Sequence, residues 1–275
     1  MEGIERMKNQ NGYTQEHKRY LQKVKKKSIL INIARFSILL LFLLLWELSA
    51  RFEWINPFIT SSPSRIAKTI AELYKNGTLF YHVGTTLWET LAGFFIAVVL
   101  GYTIALLLWW SEIFRRVSEP YFVVLNALPK IALGPLIIIW CGTGSKAIVF
   151  MTVLIGLIVA ILNMLNGFMA TDENKLLLLR SMGASKLQIL TKLVIPSSFP
   201  NFISMLKINV GMAWIGSIMG EYIVSKAGIG YLIVYGGQVF KLDLVMSAVF
   251  ILCVLAAIMY ALVALLEKLV VKNRN

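Results

Sequence analysis

The stretch HVGTTLWETLAGFFIAVVLGYTIALLLWW (residues 82–110) decides the fold class of this chain. From Leu91 to Trp110 it contains no charged residue. An α-helix needs about 20 apolar residues to cross the hydrocarbon core of a bilayer. The stretch is long enough for that purpose and far too long for an ordinary buried strand. It therefore predicts a membrane-spanning helix.

Further segments of the chain are apolar enough to span a bilayer in the same way. They cover residues 29–50, 118–140, 146–170, 198–221 and 244–267. Composition agrees, because 58% of the 275 residues are hydrophobic and only 15% are charged, too few to cover a soluble protein of this size. We therefore expect an all-α membrane protein with six transmembrane helices. These helices form a single transmembrane domain (29–275) that follows a basic tail (1–28).

Small residues recur four apart within several of these spans, a spacing that lets helix backbones approach closely in a bilayer. The pattern predicts a packed helical bundle. The residues concerned are Gly93, Ala97 and Gly101 in the second span, Thr152, Gly156 and Ala160 in the fourth, and Gly216 and Gly220 in the fifth.

Most of the Lys and Arg residues outside the spans lie on one side of the predicted membrane. They occupy the tail, residues 111–117, the loop 171–197 and the C-terminus. By the positive-inside rule we expect a multi-pass plasma-membrane protein with both termini cytoplasmic. Basic flanks also account for the formal charge of +13, so we expect no nucleic-acid partner.

Two segments between the spans are amphipathic. Residues 57–76 carry Ile66, Ile70 and Leu73 at helical spacing, which predicts a short helix at the membrane interface. The loop TDENKLLLLRSMGASKLQILTKLVIPSSFP (171–200) predicts a short helix, a break at glycine, and a second helix that ends before proline.

The second helix of that cytoplasmic loop has an apolar face made by Leu187, Leu190 and Val194. Such a face must be buried either on the membrane surface or against a partner protein. The residues alone leave both possibilities open.

The loop resembles the cytoplasmic signature of importer permeases of the ATP-binding-cassette (ABC) class. That signature reads Glu-Ala-Ala, three residues, Gly, nine residues, and Ile-x-Leu-Pro. Gly183 and Pro196 have its spacing, and Leu193 and Ile195 stand at the Ile and Leu positions. Leucines occupy positions 177–179 in place of Glu-Ala-Ala, which is a departure from the family pattern.

The resemblance extends over about residues 57–267. The segment NALPKIALGPLIIIWCGTGSK (126–146) is similar to the third span and outer turn of the nitrate, sulfonate and taurine group of these permeases. GMAWIGSIMGEYI (211–223) and AGIGYLI (227–233) are similar to the same group. The resemblance implies a type I ABC importer permease fold with cytoplasmic coupling helices at 172–194.

The same resemblance implies a division of labour among several proteins. Two separate ATPase subunits would bind ATP and Mg²⁺, an extracytoplasmic binding protein would deliver the solute, and a second permease copy would complete a homodimer in the lipid bilayer. The chain itself has no Walker A motif and no cluster of catalytic side chains, so we expect no enzyme activity and no cofactor on it. Its two cysteines and two histidines have no metal-binding spacing, so we expect no metal. The residues expected to couple to the ATPase are Leu177, Arg180, Gly183, Ala184, Ser185, Leu187, Leu190, Leu193, Ile195 and Pro196.

Candidate pathway residues begin in the third span, where Lys130 follows Pro129 and precedes Gly134 and Pro135. Prolines interrupt helices, and transporters build binding sites at broken helices. We therefore expect Asn126 and Lys130 to face the pathway. A lysine that snorkels to the interface, or a kink needed only for packing, is the alternative.

Four further residues are candidates for the pathway or its support. Lys207, in the inner half of the fifth span, could pair with a carboxylate or a lipid phosphate. Trp214 and Glu221 match residues of the family, and Glu221 could hold the loop that contains Gly228. Asn163 could line the pathway or bond to a neighbouring helix. Residues 225–238 predict a re-entrant or interfacial gate element, with an ordinary outer loop as the alternative.

The group resemblance implies a small anion such as a sulfonate, taurine or nitrate as the solute, and a pyrimidine vitamin precursor as the alternative. The competing function is a secondary transporter or channel that works alone. Such a protein would need paired carboxylates inside the membrane. Glu47, Glu89 and Glu221 lie near predicted span ends, so we expect no deep pair.

Overall fold

A computed structural model describes residues 15–272, which are almost entirely helical. The chain divides after Arg65 into two compact units. The predicted tail lies partly outside the described residues, and from residue 15 onward it is helical and continuous with the first span.

The first unit contains the long helix α1 (Gln15–Arg51) and the short helix α2 (Pro57–Thr60). The side chain of Asn56 caps α2 by accepting a hydrogen bond from the N–H of Phe58. Glu47 accepts hydrogen bonds from the N–H (3.0 Å) and hydroxyl (2.7 Å) of Ser64, which ties the end of α1 to the start of the following helix.

The second unit contains the remaining helices. They are α3 (Pro63–Lys75), which begins in the first unit, α4 (Thr78–Trp110), α5 (Glu112–Ala127), a 3-10 turn (Lys130–Leu133), α6 (Gly134–Cys141), α7 (Ser145–Met169), α8 (Glu173–Ser181), α9 (Lys186–Ile189), a π turn (Leu190–Val194), α10 (Ile195–Ser197), α11 (Phe199–Val224), α12 (Ile229–Gln238) and α13 (Leu242–Lys272). The predicted amphipathic helix is confirmed as α3, whose Ile66 is buried.

Among the described residues, five helices are long and apolar enough to cross a membrane, and a bent pair makes a sixth span possible. The pair joins α5 to the segment Lys130–Cys141 at an angle of 86°. Pro129 lies at the bend, where its missing N–H cannot continue the helix, and Pro135 lies in the first turn of α6, where none is needed. The third predicted span is therefore not one helix but two.

The core of the second unit is formed by α4, α7 and α11, with α7 between the other two. Their backbones approach at the small residues. A Cβ atom on Gly101 would lie 2.4 Å from the Cβ of Ala160, and one on Gly216 would lie 2.5 Å from the Cα of Thr152. Gly93 also faces Thr152. The prediction of close packing through small residues is confirmed.

The loop between α7 and α11 forms a helical hairpin (residues 173–197), as predicted, but proline does not end its second arm. Helix α9, the π turn and α10 follow one another without a gap. The N–H of Ile195 bonds to the C=O of Leu190, the wider hydrogen bond of a π turn. Pro196 then falls in the first turn of α10, where a missing N–H is tolerated.

The segment after α11 is a helix rather than an ordinary loop. Helix α12 packs against α13 and α11, and its Ile229 and Leu232 are buried. Gly228, just before α12, has φ = +110°, a conformation that side chains rarely adopt. The segment is thus a fixed part of the fold.

Candidate functional site

The hairpin has an inner face that is packed on the core of the second unit. Its apolar side chains join a cluster that contains Leu108, Phe168 and Met205. The hairpin residues of this inner face are Leu176, Leu179, Ala184, Ile189, Leu190, Val194 and Ile195. Burial of this face fixes the hairpin to the spans on either side of it.

The outer face of the hairpin is apolar and uncovered. Leu177 is 64% exposed, Leu178 60%, Met182 73% and Leu187 59%. Leu177 and Leu178 lie on α8, Met182 lies in the turn after it, and Leu187 lies on α9. Several exposed large apolar side chains on one short hairpin indicate an interaction surface.

Local capping makes the hairpin well defined. Asp172 caps α8 by accepting a hydrogen bond from the N–H of Asn174 at 2.8 Å. Ser185 and Gln188 form a reciprocal capping box at the start of α9. Gly183, with φ = +76°, makes the turn between the two arms.

The predicted coupling residues fall into two groups. Leu177, Arg180, Gly183, Ser185 and Leu187 are exposed on the hairpin, whereas Ala184, Leu190, Leu193, Ile195 and Pro196 are buried or half-buried within the chain. In this conformation the first group is the more accessible to another protein. The second group holds the hairpin in place.

The bend in the third span brings together Asn126, Pro129 and Lys130, as its sequence suggests. Asn126 and Pro129 are exposed, and Lys130 is partly so. The Lys130 ammonium donates a hydrogen bond of 3.2 Å to the C=O of Asn126, one of the carbonyls that the break leaves without a helical partner. Their role in a pathway remains a prediction.

Lys207 and Asn163 both have protein partners. The ammonium of Lys207, on α11, is 2.5 Å from Oε2 of Glu267, on α13, so the two form an interhelical ion pair. The side-chain amide of Asn163 donates to the C=O of Val159, one turn earlier in its own helix. Of the alternatives for Lys207, the carboxylate partner is the one found, and the amide of Asn163 bonds within its own helix rather than to a neighbouring helix.

Glu89 and Glu221 are both buried inside the second unit, contrary to the expectation that the spans contain no deep pair of carboxyl groups, although Glu221 does lie near the end of its helix. Each side chain is only 1% exposed, and the two are close enough to interact. Glu89 is on α4 and Glu221 on α11, the helix that also buries Trp214. A pair of buried carboxyl groups is therefore present.

The N-terminus of α12 is clamped by side chains from two other helices. The N–H of Gly228 donates to Nδ1 of His82 at 3.1 Å, and the N–H of Ile229 donates to the hydroxyl of Thr86 at 2.7 Å. The N–H of Gly230 donates to Oε2 of Glu221 at 2.5 Å. Three N–H groups that a helix start leaves unpaired are thus satisfied.

In this clamp around residues 228–230, the contact of Glu221 with the loop was one of the roles that the sequence suggested, whereas the parts of His82 and Thr86 were not predicted. A signal was present, because His82, Thr86, Glu89 and Thr90 recur at helical spacing in an otherwise apolar span. The hydroxyl of Thr90 donates to Ser217 of α11 at 2.7 Å, which extends the polar contacts between the two helices. Polar residues on one face of a span point to a polar partner.

The described part of the chain, residues 15–272, contains no group of three or more His, Cys, Asp or Glu side chains that could hold a metal ion. Several apolar spans, a broken helix and an apolar hairpin outside the spans are features of the membrane subunits of transport complexes. The fold and the site thus define this class of protein.

Comparison with known proteins gives the family. Residues 93–272 match the model of the family described as binding-protein-dependent transport system inner membrane component. The chain belongs to this family and is the permease subunit of an ABC importer. It is 31% identical over 236 residues to the formylaminopyrimidine transport permease protein ThiX of Halalkalibacterium halodurans, which covers 86% of this chain and 94% of that protein.

A second relative is also described as a transport permease. The putative aliphatic sulfonates transport permease protein SsuC of Bacillus subtilis is 25% identical over 84% of each chain. The fold is similar to the inward-facing MetNI methionine ABC transporter (TM-score 0.60, 17% identity, 69% of this chain and 96% of that one). It is also similar to a bacterial ABC transporter involved in alginate import (TM-score 0.62, 12% identity, 91% and 98%). The predicted type I importer permease fold is confirmed.

Proposed function

We propose that this permease forms the path for a small solute that an extracytoplasmic binding protein delivers. Two separate ATPase subunits bind to the hairpin and drive transport. ATP and Mg²⁺ bind to those subunits and not to this chain. The permease works as a homodimer in the plasma membrane, with both termini and the hairpin on the cytoplasmic side. The relatives named above support the class of partner, and the basic residues beside the spans support the orientation.

The observation that carries this proposal is the two-sided burial of the hairpin. Its inner face is packed against the spans, whereas Leu177, Leu178, Met182 and Leu187 are exposed. To transmit movement, the hairpin must be fixed to the spans on one face and accessible to the ATPase on the other. Exposed leucine and methionine side chains suit a hydrophobic cleft on a partner protein.

Co-purification tests the docking surface. We expect Leu177→Ser combined with Leu187→Ser to reduce the amount of ATPase that purifies with the permease by at least tenfold, while membrane insertion is unchanged. The matched control is Phe240→Ser, since Phe240 is 70% exposed and lies outside the hairpin. Full retention of the ATPase by the double variant would contradict the proposal.

Labelling from each side of the membrane tests the orientation. In a variant without Cys141 and Cys253, a cysteine at position 187 should react with a membrane-impermeant maleimide only in inverted vesicles. A cysteine introduced at position 240 should react only in right-side-out cells. The reverse pattern would place the hairpin outside, where no ATPase could reach it.

The solute we propose is a small organic or inorganic anion of the sulfonate, taurine or nitrate type. The ammonium of Lys130 at the broken helix would suit a negative charge. A pyrimidine vitamin precursor is the second candidate, favoured by the 31% identity to a formylaminopyrimidine permease. Uptake of labelled taurine, alkanesulfonate, nitrate and formylaminopyrimidine by cells that express the complete transporter separates the two, and a deletion of the permease must abolish the uptake.

A secondary transporter is the alternative that paired intramembrane carboxyl groups would ordinarily favour. Family membership argues against it here, and Glu221 has a structural use in the clamp around residues 228–230. Liposomes that contain the permease alone provide the test. Solute flux without ATPase and ATP would contradict the proposed function.

A further inference from the structure

The hairpin is attached to the spans at its two ends, because it follows α7 and leads into α11. Between these ends it is also held by the packing of its inner face on the core. Part of its inner face borders a cavity of about 510 Å³, which is lined by Trp109, Phe168, Leu176, Arg180 and Lys186 among others. Packing alone therefore leaves this side of the hairpin unsupported.

Lys186 provides an attachment on the side that borders this cavity. It is the first residue of α9, directly after the capping box of Ser185 and Gln188. Its ammonium donates a hydrogen bond to the C=O of Trp110, the last residue of α4. The same nitrogen lies 5.3 Å from the ring centroid of Trp110 and 5.9 Å from that of Trp109.

These contacts suit a cation. The C-terminal end of a helix carries partial negative charge on its unpaired carbonyls, and a lysine there is favourable. Aromatic rings within about 6 Å attract an ammonium group through their negative faces. Lys186 therefore meets three favourable groups at the end of one helix.

Helix α4 is the appropriate anchor for such an attachment. It runs unbroken for 33 residues, about 50 Å at 1.5 Å per residue. Close contacts at Gly93 and Gly101 join it to α7. Near its other end, His82 and Thr86 hold the start of α12. A displacement of the hairpin that reaches α4 thus reaches the clamp around residues 228–230.

We propose that Lys186 is a positioning residue for transport. Its contacts hold the hairpin against the end of α4, so that movement imposed by the ATPase is passed to the three core helices together. This inference rests on the proposed function, in which the hairpin is the docking site of the ATPase. Without this contact, the side of the hairpin that borders the cavity moves relative to α4, and ATP hydrolysis continues with less solute moved.

The test uses the complete transporter with its binding protein in nanodiscs or liposomes, and measures solute moved per ATP hydrolysed. For Lys186→Met we expect a fall of at least threefold in this ratio, with the amount of co-purified ATPase unchanged. Lys186→Arg, which keeps the charge, the ring contact and a donor, should restore the ratio to within twofold of the unmodified protein. Lys192→Met is the matched control, since Lys192 is an exposed lysine of the same hairpin.

A double-mutant cycle checks the partner. Trp110→Leu should lower the ratio in the same direction, and Lys186→Met combined with Trp110→Leu should be no worse than Lys186→Met alone. An unchanged ratio in Lys186→Met, fully additive effects, or loss of the ATPase from Lys186→Met would each overturn the inference. If the unmodified permease binds no ATPase at all, the proposed function itself fails, and the inference fails with it.

Discussion

The N–H of Gly230 donates a 2.5 Å hydrogen bond to the buried carboxyl group of Glu221, nine residues earlier in the chain. Space for that carboxyl group exists because residues 228 and 230 lack side chains. A Cβ on Gly228 would lie 2.4 Å from Oε2 of Glu221, and one on Gly230 would lie 2.8 Å from the same atom. The spacing of the two glycines therefore follows from the position of Glu221.

Gly228→Ala should destabilise the protein by about 1–3 kcal/mol, because the new methyl group overlaps Glu221 and the backbone at φ = +110° becomes strained. The measurement is the thermal unfolding temperature in detergent, followed by the loss of the helical circular dichroism signal. Gly237→Ala, in the helix that Gly228 precedes, is the control. Its Cβ would meet no atom within 4 Å, so we expect no loss of stability. Equal effects of the two variants would refute this account of the clamp.

Gly216→Ala should separate α11 from α7. Its Cβ would lie 2.5 Å from the Cα of Thr152, a backbone atom that cannot move without moving the helix. We expect a loss of about 1–3 kcal/mol in the free energy of unfolding. Gly211→Ala, five residues earlier in α11, meets nothing within 4 Å and serves as the control. A stable Gly216→Ala variant would mean that the two helices pack less closely than described.

The ion pair of Lys207 and Glu267 predicts a charge-swap result. Lys207→Glu places two carboxylates together on α11 and α13 and should lower the unfolding temperature. Combining it with Glu267→Lys restores opposite charges and should recover most of that loss. Unfolding temperatures of the two single variants and the double variant provide the measurement. A double variant less stable than both single variants would show that the pair is not a contact.

Lys130 is predicted to face the solute at the bend of the third span. For an anionic solute, Lys130→Met should raise the KM of transport about tenfold, which corresponds to about 1.4 kcal/mol of lost binding. Lys130→Arg should keep a KM near that of the unmodified permease. Lys146→Met, at an exposed lysine of the next span, is the control. An unchanged KM in Lys130→Met would remove this residue from the pathway.

The spans and their packing could be predicted from the sequence because the bilayer imposes simple rules. Length and hydropathy define a span, and a four-residue interval of small side chains defines a close helix contact. Gly93, Gly101 and Gly216 accordingly make the contacts that their spacing predicts. These features depend on residues that are near one another in the chain.

Contacts between distant residues could not be predicted in the same way. Glu89 and Glu221 become a pair only when α4 lies beside α11, and Lys186 meets Trp110 only when the hairpin folds back towards the end of α4. The 86° bend at Pro129 is a further example, since a proline in the sequence predicts that a helix is interrupted but not the angle between its two halves. Tertiary packing decides these features.

The π turn at Leu190–Val194 has one more consequence. A π turn is one residue longer than the α-helical turn it replaces, so it contains one extra residue between two regular helical segments. Removal of one residue there would convert the wide turn into an ordinary one and leave both flanks in phase. Removal of one residue from α7 or α11 would instead rotate all later side chains by about 100°. Tolerance to a one-residue deletion should therefore be concentrated in these five positions.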